Sequence, residues 1–585
     1  RREDPALLTG AGRFTGDLVP DDCLHLAFLR SSHPRGRVTH LAVSAAASVP
    51  GVEAVLTADH LHGLGRLPVN PVGGPVQPPP FPLLAAREIQ AVGQPVAAVV
   101  AQSLATAQEA LELIEFEVEP APALLTADEA SSAAALYEEV PGNLAVERLR
   151  LEGDPDVAFA RAAHVVEAQI LHPRVAPTAL EPRTTLAYWD QKLQHLTLWS
   201  GSQTPHRLRS DMAAILGLSM EKVRVIVPDV GGAFGLKASL YPEDVVVAQA
   251  SRLLGRPVSW SATRSEDFLS GTHGRGAQSQ GTLALDAEGR MLGLRAEFLF
   301  PLGYWMPFSG AVPVWNAGRI LPGPYAVEHL QVSSRGLLTN TAPMGIYRGA
   351  GRPEAALLME RLVEEAAVRL QLDPLEIRRR NLRERDHGNS QRSTDSRNYG
   401  PVLTKLAQAA SYASLREGVV ERRRQGERVG IGLCCYLEPS GQGWESARVQ
   451  LQADGMICAA TGSSAQGQGR ETAYAQIVAE VFKVSPERVK VLHGDTATTP
   501  TGIGALASRS TPIGGSALLL AAQESCTRVK QQAAALLGCS ADSLATGEEG
   551  VRSVEGALLG WDELARATND ACAAEVVYEA AGEAW

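Results

Sequence analysis

Five short stretches are rich in glycine or alanine, and most combine these with an amide, a guanidinium or a hydroxyl: residues 201–203, 231–237, 346–352, 464–469 and 505–510. The second, Gly231-Gly232-Ala233-Phe234-Gly235-Leu236-Lys237, follows the apolar run 227–230 and reads as a strand entering a glycine-dense turn. With so few side chains in the way, main-chain N–H groups can approach a ligand closely, and Phe234 would project from the turn as a wall. In the other stretches Gln203, Gln468, Ser508 and Ser510 can satisfy acceptors, and Arg348 can neutralise charge. A ligand carrying phosphate and many carbonyl or amide groups suits this set. Any one loop alone reads as a tight turn between strands, so the signal lies in their number.

Several chemistries are disfavoured. No G-x-G-x-x-G lies between one strand and one helix near an acidic residue, and there is no Walker-type G-K-[ST], which argues against those nucleotide enzymes and a nicotinamide or flavin dehydrogenase. Cys23, Cys434, Cys435, Cys458, Cys526, Cys539 and Cys572 are odd in number and contain no C-x-x-C, so neither a disulfide framework nor an iron–sulfur or zinc site is signalled. The 13 histidines show no ligand spacing. Reduced thiols and a cytoplasmic location are expected. A net charge of −11 without a long basic run argues against nucleic acid. No window approaches the roughly 18 uninterrupted apolar residues of a membrane span, so a soluble protein is expected. Arg1-Arg2-Glu3-Asp4-Pro5 is not a signal peptide, and a start without Met is read as loss of upstream residues.

The elements that must position these loops follow from periodicity. A chain of 585 residues holds roughly four domain-sized units on the length prior. Alternation predicts strands at 24–29, 52–56 and 95–100 and a helix over 104–113 starting near Ser103, a compact α+β domain. Between them, residues 67–84 read as a long Pro/Gly/Val surface loop, with a substrate funnel or subunit contact as the less favoured readings. An alanine-rich patch at 130–135 and the Pro141-Gly142 turn read as a linker, with a new region from about 145. An apolar stripe of Met359, Leu362, Val363, Ala366 and Leu370 predicts a core-facing helix over 353–370. Asp373-Pro374-Leu375-Glu376 carries a capping-box signature, and Arg378-Arg379-Arg380 reads as a solvated or partner-facing side. Finally, Gln203 and Gln468 each precede a helix-like stretch, an acidic turn and a strand, Val223-Arg224-Val225 and Val489-Lys490-Val491. Two similar α+β halves would present paired loops to one ligand between them.

Residues 231–237, 347–354, 466–473 and 507–510 together make the chain resemble the large, molybdopterin-binding subunit of the molybdenum hydroxylases: xanthine dehydrogenase, aldehyde oxidase and carbon monoxide dehydrogenase. The resemblance runs from the Arg2–Gly10 end to Trp585. It implies an α+β fold: an N-terminal α/β hammerhead-like domain (1–130), a first molybdopterin-binding region (145–390) and a second (391–585) that is incomplete at its C-terminus. It also implies roles. Gln203 would hydrogen-bond the apical oxo side of molybdenum, and Gly232, Ala233, Phe234 and Gly235 would lie against the metal's ligand sphere. Arg348, with Tyr347 and Gly349, would line the molybdenum site. Gly467, Gln468 and Gly469 would hold the pterin and its phosphate end, with Ala507, Ser508 and Ser510 adding main-chain and hydroxyl contacts. In this family the metal is held by the pterin's dithiolene rather than by protein ligands, and a cytosine dinucleotide is one form of the cofactor.

The reaction implied is oxidative hydroxylation of an aldehyde or N-heteroaromatic small molecule with water as oxygen source, electrons leaving to a 2Fe-2S subunit and an FAD subunit. Three departures shape the expectation. The loop around Arg348 has Gly349, Ala350 and Gly351 where carbon monoxide dehydrogenases carry a copper-ligating cysteine, so CO oxidation is not expected. Ala238 stands where purine oxidisers have a glutamate, and their pocket arginine extrapolates to Asn316, which disfavours purines. The family's catalytic glutamate lies in a segment after Gly582-Glu583-Ala584-Trp585, so either a separate chain supplies it or the sequence is cut short. Glu583 belongs to the earlier motif, and Glu243 and Asp244 read as helix-start residues. The competing reading is a non-catalytic or assembly subunit that needs another chain for the glutamate.

Overall fold

The structure, a computed structural model, describes residues 1–383 and 399–580. The expected boundary at 390/391 and Glu583 lie outside the described residues.

The N-terminal alternation forms strands Leu24–Arg30, Val52–Leu56 and Pro95–Ala101, the last buried throughout. Ser103 caps the Leu104–Leu111 helix, its Oγ accepting from the Thr106 N–H at 3.1 Å. These strands do not close on themselves. They complete a seven-stranded sheet ordered Val223–Ile226, His195–Ser200, Thr184–Asp190, Val258–Ser261, Leu24–Arg30, Pro95–Ala101, Val52–Leu56. One core crosses the join, with Leu26 and Val100 packed together with Leu198, Val246 and Trp260.

A second sheet, ordered Leu144–Glu152, His329–Leu338, Met291–Gly303, Gln278–Leu285, His164–Leu171, lies under the Arg352–Leu370 helix. Met359, Leu362, Val363 and Ala366 are buried there as the stripe predicts. The alanine patch is no open linker. Ala127–Ser132 is a helix with a Thr126/Glu129 capping box. Asn143 ties the helix to the chain beyond it, accepting from the Leu136 N–H (2.7 Å) and donating to the Ala130 carbonyl (3.0 Å).

Two expectations at residues 373–380 are corrected. Asp373 caps the Pro374–Asn381 helix through the Leu375 N–H (2.8 Å), but Glu376 does not return the box, because its carboxylate pairs with Arg380 one turn on at 2.9 Å. Arg378 is not solvated. It is fully buried, donates to Glu360 (2.8 Å) and to the Leu433 carbonyl (2.8 Å), and also pairs with Glu364.

The internal repeat extends well beyond what the sequence displays. Val489–Leu492, Ile457–Thr461, Trp444–Leu451 and Ala574–Glu579 form a sheet in that order. Val223–Ile226, His195–Ser200, Thr184–Asp190 and Val258–Ser261 repeat the order and the senses: parallel, then antiparallel, then antiparallel. Helices Pro205–Leu216 and Arg470–Phe482 make the matching crossovers, and Pro242–Leu254 and Ser516–Leu537 pack on matching strands. The halves are stitched where their outer strands end. The Val227 N–H donates to the Gly494 carbonyl at 2.9 Å, and Arg224 grips Asp495 with bonds of 3.0 and 2.6 Å.

Removing Arg378 strands Glu360, only 6% exposed, without its cation. Arg378→Ala is expected to lower unfolding free energy by about 3–5 kcal/mol in chemical denaturation. A loss under about 1 kcal/mol would mean that solvent reaches the pair.

Candidate functional site

The duplication brings four loops together: those before the two crossover helices and those after the two outer strands. They are locked across the halves. Gln203 Nε2 donates to the Ala505 carbonyl (2.8 Å), the Ala505 N–H donates to the Gln203 carbonyl (2.7 Å), and Ser464 Oγ donates to the Ser202 carbonyl (2.6 Å). Beside this lock opens a cavity of about 1020 Å³.

The glycine loop reaches the cavity under strain. Phe234 sits at φ +54°, a left-handed conformation uncommon for a bulky residue, between Gly232 at +95° and Gly235 at +109°. A Cβ on Gly235 would lie 2.2 Å from the Ile346 carbonyl oxygen, so only glycine permits this approach. The Phe234 carbonyl accepts from the Arg348 N–H (3.0 Å), and the Gly235 N–H donates to Gln203 Oε1 (2.9 Å). Behind the loop, Glu181 Oε2 accepts from the Gly231 N–H (2.9 Å) and from Lys237 Nζ (2.6 Å). The Lys237 carbonyl accepts in turn from the Gln203 N–H at 2.9 Å. Burial pulls the Lys237 amine below its ordinary range, and Glu181 counteracts that by pairing with it.

Gln203, Phe234, Gly235, Arg348, Gly349, Ala507 and Ser508 all line the cavity. Gly232 and Ala233 stand behind Phe234 in the same loop. Gly467, Gln468, Gly469 and Ser510 do not line it. Gly467 faces the Val230 carbonyl, Gly469 caps the Arg470–Phe482 helix against Arg1, and Ser510 Oγ accepts from Arg470 at 2.6 Å. Ala507 and Ser508 are both left-handed, at φ +50° and +53°. Within these loops the N–H groups of Gly232, Ala233, Phe234, Gly349, Ala507, Ser508, Gly467, Gln468 and Gly469 donate to no acceptor among the described residues. Gln203 spends one of its two amide hydrogens on Ala505, and the Arg348 guanidinium has no partner among the described residues. So many idle donors fit an acceptor-rich ligand.

Other lining residues lay outside the sequence reading. His206, Arg207 and Ser210 continue from Gln203 at helical spacing, a polar stripe that the i, i+3, i+4, i+7 pattern could have flagged. Phe308, Tyr436, Trp444, Ile503 and Leu506 supply apolar wall, and Asn70 brings in the long 67–84 loop. Glu438 is the one carboxylate in the lining, and it is ion-paired with Arg352. Asn316 donates to the Ala350 carbonyl (2.9 Å) and leaves its buried Oδ1 without a partner. Glu243 and Asp244 do open the Pro242–Leu254 helix. Asp244 caps the Tyr241 N–H (3.0 Å), but Glu243 is held by Arg30 (3.0 Å) and Arg183 (3.3 Å) rather than by the helix dipole alone. Among the described residues no group of three or more His, Cys, Asp or Glu could hold a metal ion, and no helix is long and apolar enough to cross a membrane.

Comparison with known proteins agrees with this geometry. Residues 136–382 and 405–585 each match the molybdopterin cofactor-binding domain, and residues 9–122 match the a/b hammerhead domain of aldehyde oxidase and xanthine dehydrogenase. The chain is 33% identical to subunit gamma of the 6-hydroxypseudooxynicotine dehydrogenase complex of Paenarthrobacter nicotinovorans, over 93% of this chain and 70% of the relative. It is 31% identical to the carbon monoxide dehydrogenase large chain of Hydrogenophaga pseudoflava, over 93% and 72%. The crystal structure of quinoline 2-oxidoreductase from Pseudomonas putida 86 superposes with a TM-score of 0.90 at 31% identity, over 99% of this chain and 78% of that one. A hammerhead domain followed by two molybdopterin-binding domains defines the class, a molybdopterin-binding oxidoreductase chain. The chain belongs to the molybdenum hydroxylase family of the xanthine oxidase type, among its large subunits.

Two measurements probe the geometry. Gly235→Ala forces a Cβ onto a backbone carbonyl at a positive φ and is expected to cost about 1–3 kcal/mol of stability, read by denaturant titration. An unchanged midpoint would refute the close approach. Burial also lowers His172, His206 and His273 to about 4 from 6.5, so the folded chain binds fewer protons than the unfolded one between those values. Stability present above about 6.5 is therefore lost as pH falls toward 4. His206→Gln should flatten part of that fall, and an identical pH curve for the variant would show His206 to be solvated.

Proposed function

We propose that this chain holds molybdopterin between its two duplicated halves and, in the cytoplasm, hydroxylates an N-heteroaromatic substrate, with an aldehyde as the lesser alternative. The observation that carries the reading is the convergence of idle main-chain donors, the free Gln203 amide hydrogen and the unpaired Arg348 guanidinium on one cavity. When bound, the molybdenum cofactor supplies two-electron redox chemistry, with oxygen drawn from water.

The chain's own groups then divide the work. Gln203, held in position by Gly235 and Ala505, would offer its free amide hydrogen to the metal end of the cofactor. Phe234 and Gly235 would form the wall beside the metal, with Gly232 and Ala233 behind them supplying N–H donors from the same loop. Arg348 and Gly349 line the opposite loop. Ala507, Ser508 and Ser510 would donate to the pterin, and Gly467, Gln468 and Gly469 would hold its phosphate end beyond the cavity, where the N-terminus of the Arg470–Phe482 helix favours an anion. The cofactor's cytosine dinucleotide form suits this reach beyond the cavity.

The aromatic wall of Phe308, Tyr436 and Trp444 favours a planar ring, and the names of two relatives, nicotine 6-hydroxylase and quinoline 2-oxidoreductase, point to N-heteroaromatics. Ala238 and Asn316 in the lining speak against purines. A cavity of about 1020 Å³ without a cysteine in its lining speaks against CO, although carbon monoxide dehydrogenase chains are among the relatives. Glu438 is engaged by Arg352, so on this reading the glutamate that would act as base toward the water-derived hydroxyl is supplied from outside the described residues, by a further segment or a separate chain. Electrons leave to a 2Fe-2S subunit and an FAD subunit.

Molybdenum per mole of chain, measured by elemental mass spectrometry on the complex purified from its own host, should be near one. A ratio near zero, with another molybdenum hydroxylase of that host loaded normally, would leave the assembly-subunit reading standing. In the loaded complex, Gln203→Ala should retain molybdenum while kcat/KM falls about 10²–10³-fold.

A further inference from the structure

The cavity is unevenly charged. Arg207, Arg348 and Arg352 face it, against the single carboxylate of Glu438. Two of the three guanidiniums are accounted for. Arg352 is neutralised by Glu438, and Arg348 belongs to the loop assigned to the cofactor. Arg207 is left over.

Arg207 is built into the wall. Its side chain is 18% exposed, its Nη2 donates to Thr204 Oγ1 (2.9 Å) and to the Ala238 carbonyl, and its guanidinium lies 3.9 Å from the centroid of the Phe308 ring. Its nearest carboxylate, Asp211, is 3.9 Å away, beyond hydrogen-bond reach. Nη1 carries no hydrogen bond to a described residue. A half-buried cation whose one carboxylate partner stands 3.9 Å away and whose Nη1 is unused, facing this cavity, suits an anionic or strongly accepting ligand.

A second lining residue, Asn70, adjoins the same Phe308. The Asn70 N–H donates to the Phe308 carbonyl at 3.1 Å, and its side-chain amide has no partner among the described residues. The loop that carries it is rigidly placed. Arg148 donates to the carbonyls of Val72 (2.8 Å), Gly74 (2.9 Å) and Pro75 (3.0 Å), the Gln77 N–H donates to the Ala145 carbonyl (2.8 Å), and Gly73 lies directly against the Trp315 ring. Trp315 shares its helix with Val312 and Asn316, both in the cavity lining. The 67–84 stretch is thus tied to the rest of the fold and brings Asn70 into the lining, rather than standing free as a plain surface loop.

We infer that Arg207 and Asn70 select a substrate bearing a carboxylate on its ring, the anion lying against Arg207 Nη1 and the Asn70 amide, and the ring between Phe308 and Val312. This rests on the hydroxylase reading and adds to it a substrate class and two specificity residues. Guanidinium and amide supply the paired N–H donors that a carboxylate accepts, and the Phe308 face holds the guanidinium plane in place.

The test uses the molybdenum-loaded complex from its host and two matched pairs, pyridine-3-carboxylate with its carboxamide and quinoline-4-carboxylate with its carboxamide. Binding is measured by calorimetry and turnover by steady-state kinetics. In at least one pair the carboxylate should bind 10-fold or more tighter than the amide. Arg207→Gln should abolish that gap by raising KM for the carboxylate while sparing kcat, and Asn70→Ala should narrow it. The Asn70 side chain makes no hydrogen bond to a described residue, so its variant keeps the test alive if Arg207→Gln fails to fold. Equal binding within both pairs, or variants that weaken acid and amide alike, would overturn the inference while leaving the hydroxylase reading intact. Selective carboxylate binding without oxidation of any of the four compounds would uphold the corner and count against the hydroxylase reading.

Discussion

The amide of Gln203 sits at the one point where the two halves of the molecule and the strained loop all meet. Its Oε1 receives the Gly235 N–H, its Nε2 donates to the Ala505 carbonyl, and its own backbone is bonded to Lys237 on one side and Ala505 on the other. These bonds are buried, where a satisfied polar network is strong and a half-satisfied one is costly. Phe234 keeps its left-handed backbone because it is held at two points: the following Gly235 N–H by Gln203, and its own carbonyl by the Arg348 N–H.

The duplication explains why one side chain can do this. Equivalent strand–loop–helix–strand units face one another, so the loop before one helix meets the loop after the other unit's outer strand. The copies have since diverged in how they present backbone donors. The first uses glycines around a single strained phenylalanine, whereas the second uses consecutive left-handed residues, Ala507 and Ser508. The helix starts have diverged too. The first turns His206 and Arg207 to the cavity, and the second meets the N-terminal segment, where Thr472 is bonded to Glu3 and Arg2.

Much of this was legible in the sequence because it depends on local chemistry. Strand alternation, the Ser103 cap and the 359–366 stripe are set by nearest neighbours on one element, and the donor-rich loops announce themselves by composition. What could not be read depended on partners far along the chain. Arg378 looks like one of three solvated arginines until the fold brings Glu360 and Leu433 to it. Glu376 completes a capping pattern on paper, yet Arg380 competes for its carboxylate. The 67–84 loop carries no periodicity at all, and only its contacts with Arg148 and Trp315 make it part of the site. Nor could any spacing reveal that the N-terminal strands continue a sheet whose other strands lie far along the chain, between Thr184 and Ser261.

The Glu181–Lys237 pair bears on why a glycine-rich loop can be rigid at all. Glycine has the largest backbone entropy to lose and no side chain with which to pack, so residues 231–235 cannot be fixed by hydrophobic contact in the ordinary way. Charged bonds from outside replace that missing packing. One carboxylate oxygen of Glu181 takes both the Gly231 N–H at the loop's start and the Lys237 ammonium at its end. Burying such a pair brings little net stability, since desolvation offsets most of the attraction. Its value lies in geometry. The pair fixes both ends of the loop to one atom, and the carbonyl of the same lysine fixes Gln203. The ion pair and the Gln203 amide are therefore parts of one frame, and the backbone donors it holds in place can face a ligand without having to reorganise when it binds.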